Sequence, residues 1–383
     1  MTEERMDWTI TGGDVLGPEG LERRDLYVVD RRISEVPGVR PRVLDAVGLT
    51  VAPGMVDLHG DAFERNFSPR PGVFFDVETA LIDTDRQLLT NGITTAYLAM
   101  TISWEPGLRS LENAKALVAA WQHMRPHFVT DLRLQLRWEI FALDAVETVE
   151  AWLRLDPSPM LAFNDHFSAL VNRERRLGRT ITEYAKRAGL SEDAYRALTA
   201  DTEARTAEVG PACARLAQAA AEAGVPCLAH DEMTGDERRR NRSLGIAISE
   251  FPMSRDAAQT AIDGGEATVL GAPNIVRGGS HIGALDAEPA AVDGLCSALA
   301  TDYFYPALLA ASARLSDRGD LSPAAVWSLV STNPARAAGL SDRTGFFAGA
   351  RADIVLYRRV GRAARVEACF ANGALGFSRL VAT

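Results

Sequence analysis

The pattern of apolar and polar positions changes texture twice along the chain. From residue 8 to residue 52, short β-rich runs (Trp8-Thr9-Ile10, Asp25-Leu26-Tyr27-Val28-Val29 and Arg32-Ile33-Ser34-Glu35-Val36) are broken by the turn signals Gly12-Gly13 and Gly17-Pro18. The same texture returns at the far end in Ala352-Asp353-Ile354-Val355-Leu356-Tyr357 and Val366-Glu367-Ala368-Cys369-Phe370, with Asn372-Gly373 as a hairpin turn. Neither end is long enough to fold alone, so residues 1–52 and 345–383 are expected to combine into one small β domain. Between them, over 53–344, strand-like runs end near His59, Met100, Glu139, His166, His230, Glu250, Gly271 and Asp302. Helical patterns separate them, for example over 78–90, 110–123, 144–155, 203–223, 254–263 and 323–331. This alternation predicts the α/β class: a TIM-like (β/α)8 barrel with a small β-sandwich domain formed from both chain ends. A polar, Arg-rich insert over 167–202 follows the fourth strand, and Ala204–Ala223 is expected to pack outside the barrel.

In such a barrel the chemistry sits at the C-terminal ends of the strands. The first strand ends in His59-Gly60-Asp61, and on a strand residues two apart share a face, so His59 and Asp61 should project together. Glu139 ends the third strand, His166 the fourth, His230 the fifth and Asp302 the eighth. Singly, each has an ordinary explanation. A strand-end histidine is commonly just hydrogen-bonded, Glu139 has Arg137 as a neighbour to pair with, and Asp302 is placed to cap a following helix. Together they are the ligand types of a metal site. Three imidazoles and three carboxylates exceed what one open zinc needs, so two divalent ions are expected, Zn2+ first, with Mn2+ or Fe2+ as alternatives.

Composition narrows the partners. The chain has 383 residues and a formal net charge of -10, which argues against bulk attraction to nucleic acid or to an anionic membrane surface. An anionic small-molecule substrate would need a local basic pocket. No apolar run reaches the length of a membrane span, and Met1-Thr2-Glu3-Glu4-Arg5 does not read as a signal peptide. Cys213, Cys227, Cys296 and Cys369 are scattered without a CxxC, so buried thiols in a reducing cytoplasm are expected. The only lysines, Lys115 and Lys186, read as helix surface, so no lysine ends a strand. A homo-oligomer is compatible with all of this.

These residues resemble the amidohydrolase superfamily of metal-dependent hydrolases over essentially the whole chain. The resemblance is carried by Ala52-Pro53-Gly54-Met55-Val56-Asp57-Leu58-His59, Thr332-Asn333-Pro334-Ala335 and Gly349-Ala350-Arg351-Ala352-Asp353-Ile354-Val355. Within it the chain looks most like the diphosphatase family of phosphonate breakdown, through Ser68-Pro69-Arg70-Pro71-Gly72, His230-Asp231, the run from Gly271 to His281, and Asp302-Tyr303 followed by Tyr305-Pro306-Ala307. Asp61 stands where most of the superfamily carries a second histidine, and Glu139 is the natural bridging group in place of a carboxylated lysine. The resemblance implies that His59, Asp61, Glu139 and Asp302 hold the more buried metal, and Glu139, His166 and His230 the other. It implies hydrolysis of α-D-ribose 1-methylphosphonate 5-triphosphate to the 5-phosphate and pyrophosphate, with Asp302 as the catalytic proton carrier.

Arg70, Asn274, Arg277, Ser280 and His281 are the expected substrate-binding residues. In Arg277-Gly278-Gly279-Ser280-His281 the glycines would let N–H groups face an anion while Arg277 adds a bidentate fork. A tight turn after strand seven is the alternative. Arg238–Arg240 and Arg242 are expected to form a solvated helix face, and Arg173, Arg175 and Arg176 to add local positive charge. Two stretches depart from the family pattern at the mouth: Gly60-Asp61-Ala62-Phe63-Glu64-Arg65 and Phe167-Ser168-Ala169-Leu170-Val171. Two competing readings remain. One is an amidohydrolase cleaving an amide, a cyclic imide or an N-acyl group at the same metal site. The other is a non-catalytic binding or assembly relative.

Overall fold

The computed structural model describes residues 6–70, 72–177, 180–280 and 283–381. Its central sheet has eight parallel strands in sequence order: β1 Met55–Gly60, β2 Ile93–Ile102, β3 Asp131–Glu139, β4 Met160–Asn164, β5 Cys227–His230, β6 Ile248–Glu250, β7 Ala267–Gly271 and β8 Ala298–Ala300. The ring closes where Gly60 and Asp302 form a parallel bridge. There the Asp61 N–H donates to the Asp302 carbonyl and the Asp302 N–H to the His59 carbonyl, both at 2.9 Å. The residues expected to be ligands on the first and last strands therefore also close the barrel.

Alternation decides what fills the ring. Val56, Leu58, Met160, Ala162, Leu228, Ile248, Val269, Ala298 and Ala300 belong to one buried cluster inside the barrel. Two residues further along, the same inward phase reaches Asn164, His230, Glu250, Gly271 and Asp302 at the mouth. The outer layer is helical, and several of its helices start on side-chain caps. Asp76 accepts from Thr79 N ahead of helix Val77–Thr90, Ser110 from Asn113 N ahead of Leu111–Met124, and Ser254 from Ala257 N ahead of Arg255–Asp263. The two chain ends meet as expected. Thr50–Pro53 pairs antiparallel with Ile354–Val360 in a six-stranded sheet, which faces a four-stranded sheet across Trp8, Ile10, Leu44, Ile354, Leu356 and Phe370. One strand of this sandwich runs through Gly54 directly into β1. At Gly54 an added Cβ would lie 2.2 Å from Thr94 Oγ1, so only glycine fits the junction.

Several expectations shift on contact with the fold. The fourth strand ends at Asn164, and His166 begins helix His166–Leu177 instead of closing the strand. The insert folds into this helix, Thr180–Ala188 and Glu192–Ala204, around Leu170, Ile181, Ala185 and Tyr195. The side chains of Arg173, Arg175 and Arg176 lie outside the described ones. Arg239 and Arg240 are solvated, but Arg238 is 0% exposed and pairs with Glu232 and Glu266. The run turns one arginine inward because Glu232, just past β5, leaves a carboxylate to be neutralised beneath the helix. Cys227, Cys296 and Cys369 are buried free thiols, and burial pushes Cys227 and Cys296 up to about 12. No described helix is long and apolar enough to cross a membrane.

Candidate metal centre

The mouth of the barrel is a cavity of about 300 Å³ lined by His59, Asp61, His230 and Asp302 together with Arg109, Arg137, Asn274, Arg277 and Ser280. Pure alternation would turn His59 away from it, because Val56 and Leu58 already occupy the inward phase. The pairing of β1 with β2 shifts register between Asp57 and Gly60, and this irregularity re-aims His59. Asp57 then braces the seam, accepting from Thr301 N at 3.0 Å and from the Thr301 hydroxyl. Gly60 must be small, since a Cβ there would meet Asp57 Oδ2 at 2.8 Å and Thr301 Oγ1 at 3.0 Å.

Immediately past three strands the chain takes positive φ at non-glycine residues: Asp231 (59°), Phe251 (52°) and Asp302 (53°). Aspartate tolerates this region, whereas phenylalanine adopts it at a steric penalty. The Phe251 ring lies 4.9 Å from that of His59 and 5.3 Å from that of His230, walling the two imidazoles.

Two candidate ligand sets share His59. His59, His230 and Glu250 form one, and His59, Asp61 and Asp302 the other, with donor atoms in each set within 4.8 Å of one another. Glu250 Oε1 is 3.0 Å from His59 Nδ1 and Oε2 is 4.0 Å from His230 Nε2. Yet His59 Nδ1, His230 Nδ1 and Glu250 Oε2 are buried without a hydrogen-bond partner. His230 Nδ1 also lies 3.0 Å from Asp231 Oδ2, and buried imidazole nitrogens and carboxylate oxygens crowded this closely suit a divalent cation, the N/O donor set fitting zinc, manganese or iron.

The allocation of ligands differs from the one the resemblance implies. Glu139 and His166 do approach, with His166 Nδ1 3.6 Å from Glu139 Oε1, while Ser103 donates to Glu139 at 2.8 Å. His230 groups with His59 and Glu250 instead of with this pair. His166 sits past the strand end, 30% exposed, with Tyr184 OH 3.3 Å from its Nε2, so its ring belongs to the rim of the site.

Electrostatics follow from burial against a dense set of charges. Burial opposes charge on His59, but the Glu250 carboxylate outweighs it and raises the imidazole above its ordinary value. Burial, aided by Arg137, holds His230 below it. Burial would raise Glu139, but His166, Ser103 and Arg137 hold it down. Burial dominates at Asp302 and pushes its carboxyl up to about 6.

The residues expected to bind substrate lie in different places. Arg277, at the end of helix Ala272–Arg277, is exposed and faces the cavity, with Nη1 3.4 Å from Tyr303 OH. Arg70 is exposed on the loop after β1, bridged to Val73, and does not line the cavity. Asn274 lines it, but its amide ties the neighbouring loop, accepting from Ala287 N and donating to the Leu285 carbonyl. The idea that Gly278-Gly279 offers amides to an anion is overturned. Gly278 and Gly279 N–H groups return to the Asn274 carbonyl, and Ser280 N–H donates to Asp286 Oδ1 at 2.8 Å. The glycines, at φ +87° and +140°, end a helix, so the turn reading holds. His281 lies outside the described residues, as does Pro71.

Three residues of the candidate site were not singled out from sequence. Glu250 had a signal, being a strand end in phase with Ile248. Arg137 had one too, sharing the inward face with Gln135 and Glu139. Arg109 had none: it sits on the loop after β2 and reaches the mouth by a bidentate pair with Glu64, 3.9 Å from Asp61 Oδ2. Glu250 is held by Gln135 Nε2 at 2.6 Å. We expect Glu250→Gln to weaken metal binding by about 10–100-fold, measured by competition with a chromophoric chelator. Unchanged affinity would remove Glu250 from the ligand set.

No family model matches the chain. It is 31% identical over 348 residues to α-D-ribose 1-methylphosphonate 5-triphosphate diphosphatase of Escherichia coli (strain K12), covering 86% of this chain and 88% of that protein. Among solved structures, β-aspartyl dipeptidase from Fervidobacterium islandicum AW-1 superposes with a TM-score of 0.63 at 15% identity, covering 97% of each chain. An adenosine deaminase from Xanthomonas campestris with bound zinc gives 0.62 at 12% identity, covering 98% of this chain and 94% of that one. At these identities the likeness is one of fold.

Proposed function

The chain belongs to the family of α-D-ribose 1-methylphosphonate 5-triphosphate diphosphatase, within the amidohydrolase superfamily, and on that basis we propose that it hydrolyses this ribose triphosphate to the 5-phosphate and pyrophosphate. The observation that carries the reading is the pairing, in one cavity, of metal-type ligands with three arginines, Arg109, Arg137 and Arg277. Amide or imide cleavage has no need of so many fixed cations, whereas a triphosphate does.

His59, Asp61, His230, Glu250 and Asp302 would hold the metal, with Glu139 and His166 completing a second position. We propose two zinc ions. A divalent ion held there supplies positive charge that favours hydroxide over water at neutral pH. Asp302, at the barrel seam, would accept the proton of the attacking water and return it to the leaving group. Attack at the α-phosphorus expels pyrophosphate, and attack at the β-phosphorus breaks the same anhydride bond with the ribose 5-phosphate as leaving group, which then takes the proton. Arg137 and Arg277 would face the oxygens on which charge grows, while Arg109, paired with Glu64, adds to the field at the mouth. Phe251 and the buried barrel wall exclude bulk water from the imidazole side. We propose that it works in the cytoplasm, as a metabolic enzyme.

The test is pyrophosphate release from the ribose triphosphate by metal-replete protein. We expect turnover that a chelator abolishes and added divalent metal restores. A competing reading, cleavage of an amide, a cyclic imide or an N-acyl group, is favoured by one observation, the position of Arg70 off the cavity. Absence of pyrophosphate release together with turnover of an N-acyl compound would decide for it.

A further inference from the structure

Among the described residues, Arg137 is the one arginine at the mouth for which the fold supplies a position but no hydrogen-bond or ion-pair partner. It lies on β3, between Gln135 and Glu139 on the inward face. Its flanking residues are both engaged: Gln135 donates to Glu250 and to the Leu58 carbonyl, and Glu139 accepts from Ser103. Arg137 is 8% exposed, lines the cavity, and has a buried Nε without a hydrogen-bond partner. No described carboxylate lies within ion-pair distance of its guanidinium, although its charge is felt by His59, Glu139, His230, Glu250 and Asp302. The other two cavity arginines are spoken for differently: Arg109 is locked to Glu64, and Arg277 is exposed beside Tyr303.

A buried guanidinium with unused donors is strongly disfavoured unless something fills them. The neighbouring carboxylates do not reach it, because the same groups converge on the metal positions. What fits is an external oxyanion with several oxygens, matched by the planar fork of the guanidinium. We infer that Arg137 is a ligand-contacting residue that binds a diphosphate group from the floor of the mouth. This rests on the diphosphatase reading above, and it names the part of the substrate that the floor holds: the phosphoryl oxygens of the bond being cleaved or of the departing pyrophosphate. Arginine is required over lysine because the fork makes two parallel hydrogen bonds, whereas an ammonium acts as a point charge.

The experiment is calorimetric titration of metal-replete protein with inorganic pyrophosphate, with metal content and thermal melting recorded for each variant. Arg137→Met is expected to weaken pyrophosphate binding about thirtyfold while metal content stays at the wild-type level. Arg137→Lys should recover only part of that loss. Wild-type affinity in Arg137→Met overturns the assignment. If Arg137→Met sheds its metal, Arg137→Lys decides: retained metal with weakened pyrophosphate binding supports the inference, and wild-type affinity overturns it. Loss of metal in both variants would make Arg137 a structural counter-charge and also overturn it. Because binding is read without turnover, failure of the reaction assignment is separable. A wild type that releases no pyrophosphate from the ribose triphosphate, yet binds inorganic pyrophosphate through Arg137, loses the substrate but keeps the anion site.

Discussion

Asp302→Asn is expected to lower kcat by about a thousandfold or more, the scale of a lost general acid–base group, while the protein stays folded. Two features make this a clean substitution. The backbone of residue 302 does the structural work, taking the Asp61 N–H and giving its own N–H to His59, and neither bond involves the side chain. The φ of 53° at this position is one that asparagine adopts as readily as aspartate. What disappears is the proton acceptor and one anionic donor of the His59–Asp61–Asp302 set. Steady-state kinetics beside a thermal melt and a metal assay would check it. A variant with normal kcat and normal metal would remove Asp302 from the reaction.

The second large effect is on stability, at the opposite end of the barrel. Arg343 is buried where the β-sandwich meets the floor of the ring, donating to Asp131 Oδ2 at 2.7 Å, to Thr95 Oγ1 at 2.8 Å and to Asp342 at 2.9 Å. Asp353, in the sandwich and itself buried, lies 3.9 Å away and is also held by Arg351 at 3.0 Å. Removing the guanidinium leaves Asp131 and Asp353 with less compensation in a poorly hydrated site. Breaking a buried pair from one side typically costs about 3–5 kcal/mol. Arg343→Met should therefore lower unfolding free energy by roughly that amount in urea denaturation, with kcat nearly unchanged in the protein that remains folded. A loss within experimental error of zero would show that the junction does not depend on this network.

Much of the site was legible because its chemistry coincides with periodicity. His59, Glu139, His230 and Asp302 end or follow strands that the apolar runs mark out, and the barrel places such residues at one end. Legibility failed where position depends on loop paths or local irregularity. Arg109 reaches the mouth from a loop that carries no periodic signal. His166 looked like a strand end because Met160–Phe163 is apolar, yet the chain turns into a helix there and carries the ring to the rim. The Gly278-Gly279 pair has the composition of an anion loop, but its amides are spent on the Asn274 carbonyl.

From sequence alone, the division into β-rich ends and an alternating middle determined the (β/α)8 barrel with its sandwich, because side-chain period and turn chemistry are local properties. The ligand types and their strand-end spacing likewise pointed to a metal site, and the resemblance to a family of hydrolases supplied the chemistry. Only the tertiary structure decided which ligands meet. It joined His59 to Glu250 through a register shift in β1, drew His230 away from Glu139 and His166, and left Arg137 alone on the floor of the mouth. Those outcomes depend on how eight strands are set against one another around a ring, and no segment of the chain carries that information by itself.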